Sequence, residues 1–117
     1  MKKDPQPKQA PAEDLSGRTL ALAGLVEVQS GAVVSRTIIN RATGTVTLFA
    51  FDRGQSLSEH SAPFDALLMG LDGQAEVSLD GKPHRLGPGE MIILPAGHPH
   101  ALRAMEPFKM ALIMIKS

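Results

Sequence analysis

Three histidines are the residues best placed to do chemistry. His98 and His100 flank a proline in GEMIILPAGHPHAL, residues 89–102, and His60 stands in SLSEHSAP, residues 56–63. Neutral imidazole is a common metal ligand and carries a proton near neutral pH. It is also an ordinary residue at the mouth of a barrel. The chain has no cysteine, which removes disulfides, thiolate chemistry and cysteine-ligated zinc or iron–sulfur clusters. No Ser–His–Asp arrangement, phosphate-cradling loop or paired-carboxylate spacing is present, which argues against hydrolase and nucleotide-binding chemistry. His84 follows Lys82-Pro83 after a turn and reads as a surface residue.

The elements that must position these histidines read as β throughout. VVSRTIIN (33–40), TVTLFAF (45–51), DALLMGL (65–71), AEVSL (75–79), MIILP (91–95), HALRAM (100–105) and FKMALIMI (108–115) are short and punctuated by turns. TLALAGLVEVQ (19–29) reads as a further strand. Asp80-Gly81 is the strongest hairpin signal. About nine strands and no convincing helix predict an all-β sandwich or barrel in one domain over 18–117. Residues 1–15, with three prolines and little apolar content, read as a flexible N-terminal tail.

With 117 residues and 43% hydrophobic content, one small core is available. Twelve basic residues balance twelve acidic ones, so no field favours nucleic acid or an anionic membrane. Aromatic content is 3%, all of it phenylalanine, which leaves few stacking platforms for single strands. The N-terminus lacks the apolar stretch of a secretory signal, and no run approaches a membrane span. A cytoplasmic protein is expected, with a small-molecule ligand and neither nucleic acid nor membrane as partner.

The spacing around the histidines carries a resemblance. Gly54, His60 and Gly73 fit G-x5-H-x-H-x3-E-x6-G, and Gly89, Pro95, Gly97 and His100 fit G-x5-P-x-G-x2-H-x3-N; 15 residues separate Gly73 from Gly89. These are the two motifs of the cupin superfamily, and the chain resembles its small single-domain, conserved-barrel members from about residue 45 to 115. The resemblance implies a double-stranded β-helix, or jelly-roll barrel, with His60 and His100 pointing inward and sharing one ion or water across the interior. It further implies a divalent transition metal (zinc, nickel, iron, copper or manganese), weakly held or absent if the site is degenerate. The implied chemistry is dioxygenase-, isomerase- or decarboxylase-like action on a small polar organic molecule. The alternative is a metal-free cupin that binds or senses a small molecule without turnover.

The departures from the motifs bear on that choice. Ala62 stands where the family has a second histidine, Ala66 where it has glutamate, and Ala104 where it has asparagine. Neither Ala62 nor Ala66 can coordinate anything. Asp65 neighbours the glutamate position and faces the opposite way on a regular strand. His98, outside the motif, shares the parity of His100; it either adds a third imidazole or sits on the exposed turn before the strand. Nitrogen-rich sites suit zinc, nickel, copper or iron better than manganese. Finally, 19–29, 33–40 and 108–115 carry more apolar positions than one buried face needs, which, with the resemblance, predicts a homodimer.

Overall fold

The computed structural model describes residues 8–9 and 14–116. Its strands are β1 (Lys8–Gln9), β2 (Val33–Arg41), β3 (Gly44–Phe51), β4 (Ser56–His60), β5 (Asp65–Asp72), β6 (Ala75–Leu79), β7 (Lys82–Leu86), β8 (Met91–Leu94), β9 (His100–Ala104) and β10 (Phe108–Ile115). A six-stranded sheet runs β1-β2-β3-β10-β5-β8, and a four-stranded sheet runs β4-β9-β6-β7. Every pairing is antiparallel except the short parallel contact of β1 with Val34 and Ser35. The chain crosses repeatedly between sheets, with β4 and β5, and β7 and β8, on opposite sides. That is the double-stranded β-helix expected from the sequence. The tail expected over 1–15 lies largely outside the described residues; β1 falls within it.

Strand alternation builds the core. From β10, Phe108, Met110, Leu112 and Met114 point inward, against Phe51 of β3 and Ala66 and Leu68 of β5. The four-stranded sheet answers with Ala75 and Val77 of β6, Leu86 of β7, and Leu102 and Ala104 of β9. Phe51 and Phe108 are fully buried, their ring centroids 5.9 Å apart. The outer face of the six-stranded sheet is apolar too, with Val34, Leu48, Ala50 and Ala111 forming a second buried cluster.

Residues 19–29 cover that second cluster, and here the strand expectation is overturned. Leu22–Leu25 forms a 3-10 turn, closed by the Gly24 amide donating to Ala21 carbonyl at 3.0 Å. Leu25, Val26 and Val28 then pack on the sheet face. The physical reason is burial: the segment lays its apolar side chains on the apolar outer face of the sheet instead of pairing at a sheet edge. Two sheet cations satisfy its carbonyls, Arg36 donating to Leu25 at 3.0 Å and Lys109 to Ala23 at 2.8 Å.

Turn chemistry fixes the rest. Asp80 and Gly81 both have positive φ, 52° and 78°, which the tight β6–β7 hairpin requires. At Gly73, with φ 76°, a Cβ would run into the Pro107 carbonyl where the chain leaves one sheet for the other.

Candidate functional site

His60 ends β4 and His100 begins β9, and the two residues are register partners. Leu57 pairs with Leu102 and faces the core, so plain alternation from Leu57 would send His60 outward. A register shift between Leu57 and His60 absorbs one residue and restores His60 to the side of His100. The same shift leaves Glu59 exposed. The rings meet edge to face, centroids 4.5 Å apart and planes at 69°. They are therefore neighbours on adjacent strands of one sheet, which corrects the expectation that they would face each other across the barrel.

Backbone carbonyls fix both tautomers. His60 Nδ1 lies 2.8 Å from the Ser58 carbonyl oxygen, and His100 Nδ1 lies 3.1 Å from that of His98. A carbonyl only accepts, so each Nδ1 carries the proton and donates it. In the neutral rings both Nε2 atoms are then left with a free lone pair. Burial, helped by the nearby His60 ring, holds the His100 imidazole below its ordinary pKa against the opposing pull of the His98 carbonyl. That lowering favours the neutral ring, the form that can coordinate.

Beneath the rings lies a cavity of about 40 Å3. Apart from the two histidines, its wall is Leu57, Leu68, Val77, Leu94, Leu102, Met110 and Leu112, with Ala101. The sequence motifs do not mark these residues; inward parity on six strands is the signal that finds all of them but Ala101. Met110 is thus both core and pocket wall.

His98 does not join the pair. Its ring sits on the exposed turn before β9, with Nδ1 2.8 Å from Asp80 Oδ2 and both side chains about half exposed (50% and 48%). The His98 amide donates to Pro95 carbonyl, and Pro99 carbonyl accepts from Asp80, so a turn rather than a strand carries residues 95–99. The parity that grouped His98 with His100 does not extend through it. Asp65 faces outward and accepts the Ala96 amide at 2.9 Å. Ala66 is buried in the barrel cluster, and Ala62 carbonyl accepts the amide of Gly97, whose φ is 81°. Ala104 is buried, its amide and carbonyl pairing with Gln55 and Gly54. His84 is exposed on β7.

Two imidazoles bound through Nε2 to one ion at about 2.1 Å, about 90–110° apart, would have centroids about 4.5–5.3 Å apart. The observed 4.5 Å fits that separation. The donor set is short, however, because a catalytic zinc site has three protein ligands and a structural one four. Among the described residues no group of three His, Asp or Glu side chains gathers to hold a metal. Two imidazoles are thus all the donors the described residues bring together here.

Among the described residues no helix is long and apolar enough to cross a membrane. Comparison with known proteins identifies the lineage. A 56-residue stretch is 41% identical to dimethylsulfoniopropionate lyase DddQ of Ruegeria pomeroyi, covering 47% of this chain and only 28% of the lyase. A conserved Streptococcus pyogenes protein of unknown function superposes with a TM-score of 0.82 at 38% identity, over 86% of this chain and 89% of that one. A cupin superfamily protein of Desulfitobacterium hafniense gives a TM-score of 0.84 at 30% identity, over 92% of this chain and 100% of that one. Residues 47–116 match the Cupin domain family, and the chain belongs to it.

Proposed function

We propose that this cupin binds a small organic molecule at the barrel mouth, where His60 and His100 weakly hold a divalent transition ion that anchors it. The observation that carries the reading is the paired geometry: two neighbouring imidazoles whose Nδ1 atoms are both tied to carbonyls. When bound, such an ion would supply a Lewis acid for a ligand oxygen or nitrogen. The chain's own part is to orient both rings through the Ser58 and His98 carbonyls and to keep water from the leucine-rich floor. With no carboxylate in the set, zinc, nickel, copper or iron suits it better than manganese. The likeness to a dimethylsulfoniopropionate lyase supports a small organic ligand and does not select a reaction.

Elemental analysis and zinc titration of the parent and the His60→Ala and His100→Ala variants test this. The parent should bind one zinc per chain in the micromolar range or weaker, and each variant at least tenfold more weakly. Equal zinc binding by parent and variants would refute it. The hydrocarbon lining and the alanine at 66 favour one other reading, in which the imidazoles grip the ligand without metal. Ligand affinity unchanged by dialysis against a chelator would select that second reading.

We also propose a homodimer formed through the outer face of the six-stranded sheet, in a cytoplasmic setting. Register places Ile39, Val46, Ile113, Leu67 and Ile93 in one row across five strands. Ile39 and Ile93 are 50% and 55% exposed, and nearby Met91 and Ile115 reach 58% and 53%. Five strands at about 4.8 Å spacing make a face about 20 Å across, the scale of an interface core. A second copy supplies the same flat apolar row, as a two-fold contact requires. Sedimentation should give twice 12.4 kDa, reverting toward monomer in Ile93→Lys; a monomeric parent at micromolar concentration would overturn it.

A further inference from the structure

The cavity wall constrains the ligand more tightly than the histidines do. Resting on the reading that His60 and His100 meet the ligand's polar group, we infer that the ligand is a short amphiphile. One polar head meets the two imidazoles, and an aliphatic end of about two or three carbons enters the cavity. Below the rings no wall side chain carries a charge, hydroxyl or amide; leucines from β4, β5, β8, β9 and β10 close the space with Val77 and Met110. A second polar group pushed past the histidines would lose its water and find no partner, a loss that exceeds what a hydrogen bond returns. Sugars, dicarboxylates and polyols are therefore disfavoured inside this barrel.

Size sets the length of the tail. A water-sized occupant takes roughly 10–15 Å3 of such volume, so a cavity of about 40 Å3 holds about three heavy atoms. Each methylene that enters should tighten binding about fourfold. The gain should stop once the cavity is full, because a fourth carbon must displace Leu57 or Leu112 or remain in solvent. The ligand class is thus set by a length limit as well as by polarity.

Straight-chain alcohols from methanol to 1-hexanol provide the test, since a hydroxyl can meet a bare imidazole or a bound ion. Binding is read from methyl shifts in protein labelled at Leu, Val and Met methyls. Affinity should rise about fourfold per carbon as far as 1-propanol and then level, with Met110, Leu112 and Leu57 shifting most. The matched diol, 1,3-propanediol, should bind at least tenfold more weakly than 1-propanol. Leu57→Ala should move the plateau one or two carbons further, and Leu112→Val should do so by less, keeping the test if the larger truncation does not fold. Affinity independent of chain length, or a diol that binds as well as propanol, would overturn the inference. His60→Gln and His100→Gln separate it from the reading beneath it. If the length limit persists while both variants bind the alcohols as tightly as the parent, the tail assignment stands and the histidine head-group assignment falls.

Discussion

The two sheets of this barrel solve different problems. The six-stranded sheet is apolar on both faces: one lines the barrel and the other is covered by residues 22–28, leaving the row Ile39 to Ile93 beyond that cover. The four-stranded sheet is apolar inside only. Outside it shows Ser56 and Ser58 of β4, Glu76 and Ser78 of β6, and Arg103 of β9. Both site histidines lie on this second, one-sided sheet. The difference is instructive because a strand packed on both faces has little freedom to accept a polar side chain without burying it. A sheet with one wet face can end its strands at a solvent-reaching mouth, where an imidazole keeps one edge in water and the other over hydrocarbon.

The contrast can be broken by mutation. The largest effect is expected at the shared core. Phe51→Ala should cost about 3–5 kcal/mol in urea denaturation, because the cavity it leaves is enclosed by Phe49 and Phe108 and cannot collapse. Next comes the outer cover. Val26→Ala should cost about 2 kcal/mol if residues 22–28 are a true second layer, whereas a loss near zero would make the six-stranded sheet one-sided like its partner.

A smaller effect is expected from pH. Burial holds the His100 imidazole below its ordinary value, so the folded chain binds that proton less readily than the unfolded one. The associated stability is present above about pH 6.5, the usual imidazole value. It is lost as pH falls from there through the lowered folded value. The parent should show a shallow decline in stability over that acidic window, and His100→Gln should flatten it. The smallest effect belongs to the outer face of the four-stranded sheet, where Ser78→Ala should stay within about 0.5 kcal/mol of the parent.

Much of this architecture is legible in the sequence, for identifiable reasons. Spacing between Gly54, His60, Gly89, Pro95 and His100 points to the fold, and AEVSL and HALRAM alternate cleanly enough to place Val77 and Leu102 inside. The Asp80-Gly81 turn marks a hairpin, although its second arm, KPHRL, has too little apolar content to announce a strand. Residues 19–29 mislead because an apolar segment covering a sheet face and one joining a sheet share a composition. Pairing decides between them, and pairing is non-local. The site is legible as far as His60 and His100. The one-residue slip that returns the exposed His60 to the side of His100 has no local marker, and parity extends no further back than the turn that takes His98 to Asp80.

In the proposed site, His60 and His100 present paired, unprotonated Nε2 atoms to a shared occupant. Long-range 1H–15N spectra of the histidine side chains, recorded at pH 7.5 before and after adding zinc, test it most directly. Both residues should be Nδ1-protonated tautomers, and zinc-induced Nε2 shifts should saturate together at one ion per chain while His84 stays unchanged. Nε2-protonated rings, or zinc shifts that leave either His60 or His100 unmoved, would contradict it.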